Sequence, residues 1–138
     1  MHKLIIIFSP MKAKGSKFSF ADRLQSFRYA FRGITELLRG EHNFRIHLAV
    51  LIVVIAAGIF FSISSSSWLA IIIVSALVLV SESFNTSVEK LADIINPEPD
   101  ERIRKAKDIG AAAVLISAIA SVIAGLVIFV PHLMKLFH

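Results

Sequence analysis

The stretch Ile109–Val130, IGAAAVLISAIASVIAGLVIFV, decides the fold of this chain, because it is apolar and contains no charged residue. A helix rises about 1.5 Å per residue, so about 20 apolar residues cross the hydrocarbon core of a bilayer. Asp100, which follows a proline-rich turn, is a suitable N-cap for such a helix. We therefore predict a transmembrane helix over residues 101–130.

A second apolar segment runs from Ile46 to Ile63, with His47 as its notable polar residue. The segment reaches the length of a span when Phe44 and the aliphatic stem of Arg45 are included, because long basic side chains can extend their charge to the interface. We predict a span over residues 44–63.

A third apolar segment, from Trp68 to Val80, is too short to cross a bilayer by itself. No proline or glycine follows it until Asn96-Pro97-Glu98-Pro99, which must end a helix. The sequence therefore predicts one long helix over residues 67–95, with its first half in hydrocarbon and its second half reaching the interface.

The composition agrees with a membrane protein of one small domain. The 138 residues are 56% apolar, and the mean hydropathy is +0.74. A soluble domain of this size cannot bury so much apolar surface. The absence of cysteine excludes disulfides and thiolate chemistry, and the net charge of +5 favours anionic lipid head groups over nucleic acid as a partner.

The positions of the basic residues predict the topology. Of the fifteen lysines and arginines, nine lie at or before Arg45 and five lie between Lys90 and Lys107, whereas residues 62–67 contain none. Basic residues accumulate on the cytoplasmic side of membrane proteins. We therefore expect the N-terminus and the second loop to be cytoplasmic and the C-terminus to lie outside.

Counted along the chain, the first, second and third spans are residues 44–63, 67–95 and 101–130. An amphipathic helix is predicted before the first span, over residues 20–40. Its apolar residues recur at spacings of three and four and suit a helix lying on the membrane surface; they are Leu24, Phe27, Phe31, Ile34 and Leu38. Residues 1–18 are predicted to be a flexible basic leader, and residues 19–138 a single integral-membrane domain.

The residues that suggest chemistry lie on the second span. Glu82, Asn85 and Glu89 are spaced three and four residues apart, so a helix presents them on one face. A charged side chain at the centre of a bilayer costs roughly 2.5–3.5 kcal/mol on insertion scales, and such residues are usually functional. The alternative is that the two carboxylates only extend to interfacial water.

Two further groups join these candidates. Glu41 precedes the first span, where it suits either a surface salt bridge or an acidic site, and Lys107-Asp108 opens the third span. Carboxylates are typical Mg²⁺ ligands, and a lysine can neutralise a phosphate. The chain contains no Walker loop, no G-x-G-x-x-G and no protein-kinase catalytic loop. The residues alone therefore predict a three-span protein with an interfacial acidic site.

Three motifs resemble the bacterial diacylglycerol kinase and undecaprenol kinase family: Glu41-x-x-Phe44-Arg45, Glu82-x-x-Asn85-x-x-x-Glu89, and Ala106-Lys107-Asp108-x-Gly110-x-Ala112-Ala113. The resemblance covers about residues 20–131. It implies a homotrimeric bundle of three-span subunits with a surface helix, active sites shared between neighbours, and transfer of the γ-phosphate of Mg²⁺-ATP to a membrane lipid alcohol.

The resemblance also implies roles for individual residues. Glu82 matches the catalytic base, with Asn85 beside it, and Glu41 and Glu89 match the magnesium ligands. The matching nucleotide-binding residues are Tyr29, Glu41, Glu89, Glu98, Lys107 and Asp108. Lipid binding is implied for Arg45, His47 and Glu82.

The lipid substrate is left open between two branches of the family. His47 stands where the diacylglycerol-preferring branch tends to carry a carboxylate, and Asp22 stands where an arginine is expected. The Asn43-Phe44-x-x-His47 and Phe129-Val130-Pro131-x-Leu133 patterns resemble the undecaprenol kinase branch. Undecaprenol is therefore the expected substrate, with diacylglycerol as the alternative. A transporter or channel subunit is a more distant alternative, with its pathway along Glu82, Asn85 and Glu89, called the acidic stripe below.

Overall fold

The computed structural model describes residues 20–136, which form four α-helices and no strand. The helices are α1 (Phe20–Gly40), α2 (His42–Phe60), α3 (Ser65–Ile95) and α4 (Glu101–Met134). This arrangement confirms the predicted all-α class and the order of a leading helix followed by three long ones. The predicted leader, residues 1–18, lies outside the described residues.

Helices α2, α3 and α4 are each long and apolar enough to cross a membrane. The chain is therefore a multi-pass membrane protein, as predicted. Helix α4 continues four residues beyond its predicted end at Val130 and includes Pro131. The proline removes one backbone hydrogen bond from the final turn, but the His132 ring donates to the Ile128 carbonyl through Nδ1 at 2.8 Å, and the helix persists.

The first part of α1, through Gly33, forms a unit separate from residues 34–136. Its apolar side chains Leu24 and Phe27 are exposed. The Tyr29 hydroxyl accepts a hydrogen bond from Gln25 Nε2 at 2.9 Å, and the Arg32 guanidinium lies 6.0 Å from the centre of the Tyr29 ring. A helix exists where the surface helix was predicted.

The three long helices leave most of their apolar surface uncovered. Helix α4 packs along α3 far more extensively than α2 does. Few apolar side chains are buried among the described residues, namely Phe44, Ile63, Ile71, Val78 and Ala92. The remaining apolar surface must contact lipid or other protein chains.

The corner between α2 and α3 is closely packed. The Ser64 hydroxyl caps α3 by accepting from the Ser67 backbone N–H at 3.2 Å. A Cβ atom added to Gly58 would lie 2.7 Å from the Trp68 ring, so this glycine makes room for the indole. The Phe61 ring then contacts α4, with its centre 6.1 Å from that of Phe129 and 5.8 Å from that of His132.

The Gly58→Ala substitution is expected to destabilise the protein, whereas Gly125→Ala is not. Overpacking costs about 1–3 kcal/mol, which exceeds the gain of up to about 1 kcal/mol from replacing a helical glycine by alanine. Gly125 has no neighbouring atom within 4 Å in the described structure, so there the gain stands alone. Unfolding of both variants in detergent measures the difference, and equal stabilities would contradict the packing described at Gly58.

Candidate active site

Glu82 is the most deeply buried acidic residue in the described part of the chain, with 3% of its surface exposed. Within residues 20–136 its carboxylate has no hydrogen bond or ion pair. It lies within electrostatic range of His47 on α2, of Glu89 on its own helix, and of Glu41. The structure thus places Glu41 and Glu89 within electrostatic range of Glu82, where α2 begins and the second half of α3 passes it.

Glu41 is held by a lysine of the neighbouring helix. It occupies the N-cap position of α2 but makes no side-chain capping hydrogen bond. Its Oε1 instead lies 3.1 Å from Lys90 Nζ, in a pair whose lysine side chain is 53% exposed and whose glutamate is 25% exposed. Sequence reasoning assigned Lys90 no role. Lys90 follows Glu89 in the sequence, and this position does not indicate that its ammonium group contacts Glu41 at the start of another helix.

Asn85 and Glu89 form a polar pair along α3. Asn85 Nδ2 donates to Glu89 Oε1 at 2.9 Å, one helical turn away. The amide is buried, and its Oδ1 atom has no hydrogen-bond partner within residues 20–136. Gly110 of α4 packs directly against this oxygen. Asn85 therefore contacts both the acidic stripe and the surface of the next helix.

The charged start of α4 adds a cation to this region. Lys107 Nζ lies 2.7 Å from Asp93 Oδ1 on α3 and within electrostatic range of Glu89. Asp108, by contrast, pairs with Arg104 of its own helix at 2.8 Å. The two neighbouring candidates therefore have different surroundings: Lys107 lies beside the acidic stripe, whereas Asp108 contacts Arg104.

Asp100 fixes the beginning of α4, outside the predicted span. It accepts a hydrogen bond from the Arg102 backbone N–H at 2.8 Å and another from the Arg102 side chain at 2.8 Å. The side-chain hydrogen bond, followed by the backbone one, holds the pKa of Asp100 below its usual range. The capping carboxylate therefore stays charged to lower pH than a free aspartate, and its contribution to stability is lost only as the pH falls through that depressed pKa.

A cleft of about 520 Å³ lies where α3 ends and α4 begins. Carboxylates and basic groups both line it, including Glu98, Arg104 and Lys107. The Glu98 backbone N–H donates to Asn96 Oδ1 at 3.3 Å, which shapes the loop. Two of the predicted nucleotide-binding residues, Glu98 and Lys107, thus share one concave surface.

A smaller cavity of about 250 Å³ lies between α2, α3 and α4. It reaches Val78 and Leu79, one helical turn before Glu82, and its polar lining residues are His47, Ser75 and Ser121. The rest of the lining is apolar. An aliphatic chain fits such a surface. His47, which lines the cavity, also lies within electrostatic range of Glu82.

Comparison with known proteins assigns this arrangement to a family. The family model described as prokaryotic diacylglycerol kinase matches residues 28–129, which include the acidic stripe, the Glu41 position and Lys107. The chain belongs to the prokaryotic diacylglycerol kinase family. This confirms the resemblance found in the sequence motifs.

Individual members of the family are similar over most of the chain. Undecaprenol kinase of Bacillus subtilis (strain 168) is 36% identical over 109 residues, which are 79% of this chain and 89% of that protein. Diacylglycerol kinase of Synechocystis sp. is 35% identical over 114 residues, 82% of this chain and 65% of that protein. Diacylglycerol kinase of Escherichia coli (strain K12) is 26% identical over 113 residues.

Membership of this kinase family makes the chain a lipid kinase rather than a transporter or channel subunit, and it implies ATP as co-substrate. Among residues 20–136, no three His, Cys, Asp or Glu side chains are grouped closely enough to hold a metal ion by themselves. Glu41 and Glu89 nevertheless offer the oxygen donors that Mg²⁺ takes when phosphates supply the remaining ligands. The residues present therefore fit an ion that arrives with the nucleotide.

For two further predicted site residues the structure gives contacts within their own helices. Tyr29 belongs to the first part of α1 and contacts Gln25 there. Arg45 lies on an exposed side of α2, where its guanidinium donates to His42 Nδ1 at 3.5 Å. Their assignment to the nucleotide and to the lipid remains a prediction.

Proposed function

We propose that this chain transfers the γ-phosphate of ATP to the hydroxyl of undecaprenol in the bacterial cytoplasmic membrane. The observation that carries the proposal is the buried Glu82 carboxylate, which has Glu41 and Glu89 within electrostatic range at one end of the apolar helices. The similarity to the Bacillus subtilis undecaprenol kinase, which extends over 89% of that protein, favours the prenol as substrate.

Glu82 acts as the general base in this proposal. Its carboxylate has no hydrogen bond or ion pair within the described residues, so it is free to accept the proton of an incoming hydroxyl. A positioned base contributes about 10²- to 10⁴-fold to such a transfer. The mostly apolar cavity that ends one helical turn before Glu82 would let the chain of a lipid alcohol stay in apolar surroundings with its hydroxyl beside the base.

Glu41 and Glu89 are proposed to hold magnesium, with Asn85 keeping Glu89 in place through its 2.9 Å hydrogen bond. When bound, the ion neutralises phosphate charge and holds the phosphates in line for transfer. Lys107 would add positive charge beside the same phosphates. Phosphoryl transfer needs positioning and charge neutralisation above all, and this set of residues supplies both.

The nucleotide is proposed to occupy the cleft of about 520 Å³ at the start of α4. Lys107 would contact phosphate, and Glu98 and Asp108 would contact the nucleoside end. For Tyr29, a contact with the nucleotide is proposed from the family resemblance alone. The mixture of basic and acidic groups around this cleft suits a molecule that has a charged end and a hydrogen-bonding end.

The lipid is proposed to lie in the cavity below Glu82, near His47 and with Arg45 towards the head group. Diacylglycerol is the second candidate substrate. The Synechocystis diacylglycerol kinase, at 35% identity, is almost as similar to this chain as the undecaprenol kinase is.

The assembly is proposed to be a homotrimer whose active sites are shared between subunits, with the N-terminus and second loop cytoplasmic and the C-terminus outside. The large exposed apolar surface of the three long helices leaves room for neighbouring subunits. The distribution of basic residues supports the topology.

The substrate is tested by giving the purified protein in lipid nanodiscs γ-labelled ATP and Mg²⁺ with undecaprenol, diacylglycerol or ceramide in separate reactions. We expect label on undecaprenol at the highest kcat/KM. Preferential labelling of diacylglycerol would show that the substrate was assigned wrongly and would leave the proposed mechanism unchanged. No transfer to any of these lipids would refute the proposed function.

Glu82→Gln is expected to reduce kcat by about 10²- to 10⁴-fold, because the amide cannot accept the hydroxyl proton. Binding of Mg²⁺-ATP, measured by calorimetry, and the oligomeric state should be unchanged. Ser83→Ala on the same helix is the matched control and should remain active. Full turnover by the glutamine variant would exclude Glu82 as the base.

Lys90→Met is expected to lower the Mg²⁺ concentration that gives half-maximal activity, since the ammonium group and the ion compete for Glu41. The change should be at most about fivefold, because a partly exposed ion pair contributes only about 0.2–1 kcal/mol. Lys105→Met removes a similar pair, with Glu101 at 3.1 Å, away from the acidic stripe and should leave the Mg²⁺ dependence unchanged. A higher Mg²⁺ requirement in Lys90→Met would show that the lysine does not compete with the ion.

A further inference from the structure

We propose that Gly110 of α4 is a positioning residue for the reaction, because its missing side chain lets the Asn85 amide adopt the one orientation that holds Glu89. The inference rests on the proposed function, in which Glu89 binds magnesium. It assigns a role to a residue that touches neither lipid nor nucleotide in that proposal.

The geometry places Asn85 between two helices. Asn85 is 7% exposed, and its Nδ2 atom donates to Glu89 Oε1 at 2.9 Å. A Cβ atom on Gly110 would lie 2.5 Å from Asn85 Oδ1 and 3.5 Å from Cγ. The α-hydrogen side of Gly110 therefore faces the oxygen end of the amide.

This contact accounts for the orientation of the Asn85 amide. A carboxylate accepts hydrogen bonds but cannot donate them, so Glu89 requires the NH₂ end of the amide. The oxygen end must then point elsewhere, and it lacks a conventional partner within residues 20–136. At Gly110 it meets a Cα–H group, a weak donor that an oxygen tolerates better than it tolerates a methyl group at the same place.

The other glycines show that this contact is not a general feature of the packing. Gly125, on the same helix, has no described neighbour within 4 Å, and Gly58 faces the hydrocarbon ring of Trp68. Near Gly40 the closest atom is Lys90 Nζ at 4.0 Å, an ordinary separation. Among the glycines of residues 20–136, Gly110 is the one at which an added Cβ atom would meet a polar atom of the acidic stripe.

An alanine at position 110 requires either Asn85 to rotate or α4 to move away from α3. Rotation of Asn85 breaks the 2.9 Å bond to Glu89, and the carboxylate loses its fixed orientation. Movement of α4 alone would leave this bond intact, because both residues belong to α3. The extensive packing of α4 along α3 favours rotation of the side chain. The Gly110→Ala variant should therefore need about tenfold more Mg²⁺ for half-maximal activity, as expected for the loss of one hydrogen bond to a charged group. The KM for the lipid should stay unchanged.

The experiment uses the full chain in nanodiscs and begins without nucleotide or metal. The side-chain ¹⁵NH₂ signal of Asn85, identified by its loss in Asn85→Ala, should shift in Gly110→Ala and keep its position in Gly125→Ala. The Mg²⁺ requirement should rise in Gly110→Ala and also in Glu89→Gln, which removes the proposed magnesium ligand directly. Gly58→Ala, which introduces a clash far along α2, should lower stability without changing the Mg²⁺ requirement.

The Gly110→Ala/Asn85→Ala double variant keeps the test decisive if the single variant folds poorly. Removing the asparagine side chain makes room for the new methyl group, so stability should recover while the Mg²⁺ requirement stays high. A double variant no more stable than Gly110→Ala, or an unshifted Asn85 signal together with a normal Mg²⁺ requirement in Gly110→Ala, would overturn the inference. Absence of lipid phosphorylation by the unmodified protein would instead refute the proposed function.

Discussion

Carboxylates beside hydrocarbon are the constraint on which this structure depends. A charged group in the apolar part of a bilayer is costly, so it must lie near an interface, face other polar groups, or both. Glu82 follows directly on apolar residues of α3, yet it is covered by protein and grouped with His47, Glu41 and Glu89. The length of α3, 31 residues, satisfies this constraint, because one helix carries apolar residues through the membrane and polar residues to its edge.

The fold was predictable from the sequence to a large extent. Uninterrupted apolar runs and the Asn96-Pro97-Glu98-Pro99 break define the three spans, since helix length and proline chemistry are local properties. The end of α4 was placed too early, because a proline in a final turn costs less than one in the helix interior, and the His132 ring bonds to a carbonyl there. The beginning of α2 at His42 was missed by two residues for lack of a capping signal.

The acidic stripe was equally visible, because Glu82, Asn85 and Glu89 share one helix and the helical period fixes their common face. The partners that complete it were not. The pairs of Lys90 with Glu41, Lys107 with Asp93, and Gly110 with Asn85 all join different helices. Their formation depends on how far one helix is shifted along another, and no local pattern specifies that shift. Lys107 was a candidate because of its place at the start of the third span and because of the family resemblance, whereas Lys90 was overlooked.

The two ends of α2 are fastened by different kinds of force. At the corner with α3, the Phe61 ring meets Phe129 and His132, and Gly58 receives the Trp68 indole. At the other end, the accessible ion pair between Glu41 and Lys90 supplements the buried Phe44 ring. Dissolved salt screens exposed charges over about 8 Å at physiological strength but has little effect on aromatic packing. A rise in ionic strength therefore weakens the attachment of α2 to α3 at the Glu41 end, whereas the aromatic corner around Phe61 stays packed.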